Sequence, residues 1–300
     1  MKYSIAVAVL VTLSIAKVAK ALPTRRGVSD TQVLNFALTL EHLESAFYQQ
    51  GLSKFPQSAF VAAGYPDWVY ERFQQIRDHE DTHETFISTA LTTAGTQAVA
   101  PCEYNFPFTD VHSFIDLSAV LETVGTAAYT GGAQLISNKD YVTVAASILS
   151  VEARHTAWIN SAVKRNNAWD TAFQTALTPN QIYSLGTAFI KSCPASNTAL
   201  LPALTSYPAL TVTDARPGKT AIVAFTAPKA STQLFAAFIS GVGAPVFAPI
   251  EDGNKVVIPS DLYGFVFCVI TKDGGVVDDS TTVAGPAILN FAYDSRGQTV

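Results

Sequence analysis

The stretch Leu40-Glu41-His42-Leu43-Glu44-Ser45-Ala46-Phe47-Tyr48 has a counterpart 81 residues further on, Leu121-Glu122-Thr123-Val124-Gly125-Thr126-Ala127-Ala128-Tyr129. Both read Leu-Glu, with a tyrosine seven residues after the glutamate. A second pattern repeats at an offset of 72: Ile76, Glu80, His83 and Ile87 against Ile148, Glu152, His155 and Ile159. Internal self-similarity at this spacing marks a repeated structural unit. Each unit supplies one lone Glu and then one Glu-x-x-His.

Working outward, the segment from Ser29 to Ile190 reads as helical. Ser29 with Gln32 forms a capping-box pattern, and apolar residues keep helical spacing from Val33 to Tyr48 until Gly51. Further helices are expected from Pro66-Asp67 to Ala94, from Asp110 to Ile136, and from the Asn138-Lys139-Asp140 turn to Asn166. Thr178-Pro179-Asn180-Gln181 is another helix start, with Pro at the first helical position. The stretch 95–109 is long enough to cross the length of a bundle.

On a helix, residues three apart lie about 300° round the axis, so Glu80 and His83 share a face, as do Glu152 and His155. That face also carries the apolar core positions, where an unpaired carboxylate is costly to bury. Four buried carboxylates repel one another unless cations sit between them. Two divalent metals resolve the conflict. One Glu from each of two helices, with Glu-x-x-His from each of two others, is the ligand set of dimetal carboxylate bundles. The expected ligands are therefore Glu41, Glu80, His83, Glu122, Glu152 and His155, and carboxylate-rich sites of this kind suit Fe or Mn. Tyr48 and Tyr129 are expected to hydrogen-bond the ligating carboxylates. Glu44 shares the face of Glu41 and stands where its repeat partner is Gly125, so it is a candidate extra ligand. His42 and His79 are each one residue, about 100°, away from a ligand and should point elsewhere. Glu84 and Arg154 read as solvated, and His112 has no partner in sequence.

The motifs Leu38-Thr39-Leu40-Glu41-His42-Leu43-Glu44, His79-Glu80-Asp81-Thr82-His83-Glu84, Leu121-Glu122-Thr123-Val124-Gly125 and Glu152-Ala153-Arg154-His155 carry a resemblance. The stretch 30–165 resembles the ferritin-like domain of secreted fungal proteins, some called stress-response proteins. It is also similar to plant desiccation-related ferritin-like proteins. Cys102-Glu103-Tyr104 with Phe106-Pro107 fits that family's crossover. The resemblance covers under half of the chain. It implies a ferritin-like four-helix bundle of di-iron type and leaves the activity undefined.

After Cys193 the character changes. Runs rich in Val, Ile, Phe and Thr at 211–213, 221–226, 233–239, 255–258, 265–271 and 286–293 alternate with turns such as Asp252-Gly253-Asn254 and Asp273-Gly274-Gly275. They predict a small β-sandwich. The fold expected is thus mainly α with a separate β module: a helical domain over 28–193 and a β domain over 205–300, joined by a linker at 194–206.

Residues 1–21 read as a signal peptide: Lys2, an apolar stretch from Ile5 to Ile15, then Ala19-Lys20-Ala21 as a cleavage site. That stretch is too short for a transmembrane anchor. Localisation is expected to be secreted, extracellular or in the cell wall. Removing Lys2, Lys17 and Lys20 takes the 19 basic residues to 16 against 24 acidic ones. This acidic balance argues against nucleic acid as a partner. Of the three cysteines, Cys102 and Cys193 are expected in loops and to pair, which an oxidising compartment permits. Cys268 sits in an apolar strand and should remain free.

No nucleophile elbow, phosphate loop, dinucleotide fingerprint or Cys-x-x-Cys is present. Three functions stay open. The first is a dimetal redox protein acting on oxygen or peroxide; the second binds metal outside the cell without turnover; the third is a structural wall or surface protein that keeps the fold. A homodimer is an open assembly state. Small-molecule access is expected beside the third long helix, near Gly125 and Ala128, for a substrate no larger than dioxygen or peroxide, with Gly131-Gly132 thinning the same side.

Overall fold

The computed structural model describes residues 27–226 and 233–298, so the expected leader lies outside the described residues. Four long helices form the N-terminal bundle: α1 (Asp30–Lys54), α3 (Asp67–Thr93), α4 (Val111–Gly132) and α5 (Lys139–Trp158), with a short α2 (Gln57–Ala62) between the first two. Local chemistry sets the starts. Ser29 accepts from Gln32 N while the Gln32 side chain accepts from Ser29 N, and Asp110 with Ser113 repeats the arrangement at α4. The Asp30 carboxylate accepts from the amides of Ser137 and Asn138, tying the head of α1 to the turn before α5.

Gly51 does not end the first helix, contrary to its expected role. It lies buried within α1, where a Cβ would stand 2.1 Å from the Phe114 ring. Its missing side chain lets α4 approach. At the other end of the fourth helix a π-helical turn (Ile159–Val163) follows α5, and Arg165 leaves with a φ of 58°.

Two apolar clusters fill the bundle. One end is aromatic, with Phe47, Phe60 and Phe73 packed edge-on or stacked against Phe114. The other is aliphatic, with Leu34, Leu38, Ile87, Leu91 and Ile148. The crossover between α3 and α4 spans both: Val99 belongs to the aliphatic cluster, Phe106 and Phe108 to the aromatic one. Within it β1 (Glu103–Tyr104) pairs antiparallel with β2 (Ile190–Ser192), which follows α6 (Pro179–Gly186). A disulfide joins Cys102 to Cys193 beside this pair, and Cys268 is free and buried.

The segment expected as a linker docks on the crossover. Asn197, in a 3-10 turn, is buried, accepts from Ala100 N and donates to Ala100 O. Beyond it lie a three-stranded antiparallel sheet, β3 (Leu210–Thr213), β4 (Thr220–Phe225) and β7 (Lys255–Val257), and a four-stranded one. The latter runs in the order β6 (Val246–Pro249), β5 (Phe235–Ile239), β8 (Gly264–Thr271), β9 (Thr282–Phe291). The two sheets share one apolar core, and β6 is a strand that the sequence patterning did not signal. β8 is buried along its whole length, the mark of a strand covered on both faces. Val266, Cys268 and Ile270 enter the core between the sheets, while Phe267 packs with Phe36, Val124 and Ile182 of the helical part. No described helix is long and apolar enough to cross a membrane.

The disulfide closes a separation of 91 residues. Replacing both Cys102 and Cys193 by Ser should lower stability by about 4.6 kcal/mol on the chain-entropy account, read from urea unfolding curves. Native protein should show no thiol reactive toward Ellman's reagent, because Cys268 is fully buried; one reactive thiol before unfolding would contradict that burial.

Candidate metal centre

The helices that carry the repeat bring its polar residues to one level, between the aromatic and aliphatic clusters. Glu41 and Glu44 lie on α1 between Leu38 and Phe47, and Glu80 lies on α3 between Ile76 and Ile87. Glu122 on α4 and Glu152 on α5 complete the set. Glu41, Glu80 and Glu152 have no exposure, Glu122 has 1% and Glu44 has 4%.

Two groups of potential ligand atoms form there. Glu41, Glu80, His83 and Glu152 each offer one atom, all within 4.8 Å of one another, and so do Glu80, Glu122, Glu152 and His155. Glu80 and Glu152 are common to both. His83 Nδ1 stands 3.0 Å from Glu80 Oε2, 3.4 Å from Glu152 Oε1 and 3.5 Å from Glu41 Oε2. His155 Nδ1 stands 3.1 Å from Glu80 Oε1 and 3.1 Å from Glu122 Oε2.

These spacings bear on whether ions fit. Atoms bound about 2.1 Å from a common ion lie about 3.0 Å apart at right angles and about 3.4 Å apart at tetrahedral angles. The observed separations cover that interval. Hydrogen bonding, moreover, leaves the cluster incomplete. Glu41 Oε2, Glu80 Oε1 and both Glu152 oxygens are buried without a hydrogen-bond partner, although an imidazole nitrogen stands near three of them. Buried carboxylate oxygens left this way are costly, and ions between them would satisfy them. The residues fit a dinuclear centre.

Without cations, protons must carry the charge. Burial raises Glu41, Glu122 and, well above the usual range, Glu44. Burial and the neighbouring Glu122 push Glu152 up to about 8. Burial lowers the His83 imidazole, but Glu152, Glu41 and Glu80 overcome it and hold it at about 12. The same contest, won by Glu122 and Glu80, leaves His155 at about 10.

The supporting shell is reciprocal. Tyr48 of α1 donates to Glu122 of α4, and Tyr129 of α4 donates to Glu41 of α1. Two histidines set aside on the sequence take definite places. His79 Nδ1 lies 3.0 Å from His155 Nε2 with the rings stacked, so it abuts the far side of that imidazole. A one-residue step from Glu80 hid this, because its partner is on another helix. His42 is buried, 3.1 Å from Val99 O and 3.3 Å from Glu84, so Glu84 is engaged and not simply solvated. His112 accompanies Tyr65 at 2.8 Å, away from the cluster.

A cavity of about 230 Å³ reaches Glu44 and Gly125. Ala128 instead lines a larger, mainly apolar cavity, about 460 Å³, which touches Tyr129 but none of the five clustered glutamates. Of the two glycines beyond, Gly131 is closely packed, since a Cβ there would meet Leu177 O at 1.9 Å, whereas nothing lies within 4 Å of a Cβ at Gly132. At Gly125 a Cβ would lie 2.8 Å from Glu152 Oε2 and 2.9 Å from Glu44 Oε1, so its absence makes room for these carboxylates.

Comparison with known proteins agrees with this architecture. Residues 29–165 match the ferritin-like domain family. Over 181 residues the chain is 25% identical to protein rds1 of Schizosaccharomyces pombe, a match covering 60% of this chain and 44% of that protein. The chain thus spans less than half the length of that relative. The molecule is a ferritin-like helical domain followed by a β-rich region, with a buried carboxylate and histidine cluster that could bind metal.

Tyr48→Phe and Tyr129→Phe each leave a buried carboxylate oxygen without its donor, and each should cost about 1–3 kcal/mol. Tyr65→Phe, at an exposed pair, should stay within about 0.5 kcal/mol. Chemical denaturation of the three variants checks this, and equal midpoints would show that neither carboxylate depends on its tyrosine.

Proposed function

We propose that this protein is a secreted dimetal carboxylate protein, holding two Fe or Mn ions and acting in redox defence on oxygen or peroxide. One observation carries the reading: the two four-residue groups share Glu80 and Glu152, so these two carboxylates would help to hold both ions. Glu41, Glu80, Glu152 and His83 would hold one ion, and Glu80, Glu122, Glu152 and His155 the other.

Bound, two redox-active ions supply the electrons for reduction of a small oxidant. The chain's own residues do the rest. Five carboxylates face two imidazoles, and taking up two divalent ions would release the protons that the carboxylates and imidazoles otherwise keep. Tyr48 and Tyr129 would hold one oxygen each of Glu122 and Glu41, leaving the other to ligate. The aromatic and aliphatic clusters above and below exclude water. Secretion is supported by the expected leader and by the Cys102–Cys193 disulfide, which suits an oxidising compartment.

Elemental analysis of protein purified from its native medium should find two equivalents of Fe or Mn. Glu80→Ala or Glu152→Ala should lose both, because each residue serves both ions, whereas Glu41→Ala should retain about one. Absence of metal from the wild type would overturn the reading. Two equivalents with no oxygen or peroxide consumption would make the protein an extracellular metal binder without turnover.

A further inference from the structure

The cavity at Glu44 lies where the helical and β-rich parts meet. Leu43 and Glu44 of α1 and Val124 and Gly125 of α4 form its inner side, and Phe189, after α6, and Ile288 of β9 help to form its outer side. Its walls are chiefly apolar. Among its lining residues, the polar groups at the outer side are already engaged. The Tyr207 hydroxyl donates to Asp279, and Ser184 donates to Asn180 O while accepting from Tyr207 N. Glu44 is different: it is 96% buried on a 4% exposure, lines the cavity, and has no hydrogen bond among the described residues.

We propose that this cavity binds a small, uncharged aromatic molecule carrying one hydroxyl, of the phenol class, with the hydroxyl against the Glu44 carboxyl. Size supports it. An apolar cavity of about 150 Å³ takes benzene, and the 230 Å³ here leaves room for ring substituents. Charge narrows the class. An anion would lose its hydration against chiefly apolar walls, beside the Glu44 and Glu152 carboxyl groups. An ammonium brings three donors to a pocket with a single unpartnered polar group, so two would stay unsatisfied against apolar walls. A phenol brings one donor. The β-rich region thereby gains a role, because β9 and the segment before β3 supply part of the wall. The binding stands on the cavity and Glu44 and does not depend on the function proposed above.

Fluorine NMR with 4-fluorophenol and with fluorobenzene, on protein as purified and with metal content measured on the same sample, tests this. Wild type should bind 4-fluorophenol with a Kd near or below about 1 mM, and about fivefold more tightly than fluorobenzene, the worth of one hydrogen bond of about 1 kcal/mol. Glu44→Leu should erase that preference. Ala188 and Ala209 are exposed residues at the rim, so Ala188→Trp and Ala209→Trp should fold normally and weaken both ligands at least about tenfold. Failure of wild type to bind 4-fluorophenol, or binding unchanged in both tryptophan variants, overturns the proposal even where metal is present. Binding with the expected variant pattern in metal-free protein supports the site and overturns only the metal reading.

Discussion

Everything in the helical domain is arranged around one electrostatic constraint: five carboxylates are buried at one level of an apolar bundle with only two imidazoles facing them. In a medium of low polarisability such a cluster cannot be fully ionised on its own. It can be protonated, as the raised carboxyls and raised imidazoles indicate, or it can take up cations. Either solution requires the helices to hold these groups in place to within about 0.5 Å. The apolar clusters above and below do this, since Phe114 and Leu91 fix α4 and α3 in height before any polar contact is counted.

The crossover acts as a clamp on the same scale. It lays Val99 over the aliphatic end and Phe106 over the aromatic end, and Cys102 between them is bonded to Cys193. Asn35 reaches out from α1 to accept from Val99 N, and His42 lies against Val99 O, so the crossover is stitched to the helix that bears Glu41. The tyrosine exchange between α1 and α4 adds a tie between the two lone-glutamate helices. Rigid apolar packing positions the ligand set, and polar contacts from the second layer orient it.

Much of this was legible in the sequence because its signals are periodic. Glu-x-x-His twice at matched apolar spacing, and Leu-Glu with a following tyrosine twice, define faces of helices without any knowledge of their neighbours. The capping boxes at Ser29 and Thr178 were equally local. What was not legible depended on contacts between elements. Gly51 reads as a stop, yet it exists for the approach of Phe114. His79 points away from its neighbour's face and meets His155 of a different helix. The 194–206 segment has the composition of a linker, but Asn197 satisfies both backbone groups of Ala100 and so docks it. β6, four residues with Pro249 at its end, carries too little alternation to stand out.

The repeat is nearly symmetric in its glutamates, and the one glutamate without a counterpart is informative. Tyr48 answers Tyr129, Glu41 answers Glu122, and Glu80 with His83 answers Glu152 with His155. Glu44, however, is answered by Gly125, and the geometry shows the two positions are a matched pair: Glu44 Oε1 lies 2.9 Å from where a Cβ of residue 125 would be. A carboxylate on one helix thus occupies space vacated on the other, which a purely structural core would fill with two apolar side chains. The cavity between the helical and β-rich parts opens on that same pair of positions. The symmetric part of the cluster explains why the bundle can hold charge. Its departure from symmetry at residues 44 and 125 falls on the two helices, α1 and α4, that the β-rich region covers with Phe267 and Ile288, so the proposed binding cavity lies where the two parts of the chain meet.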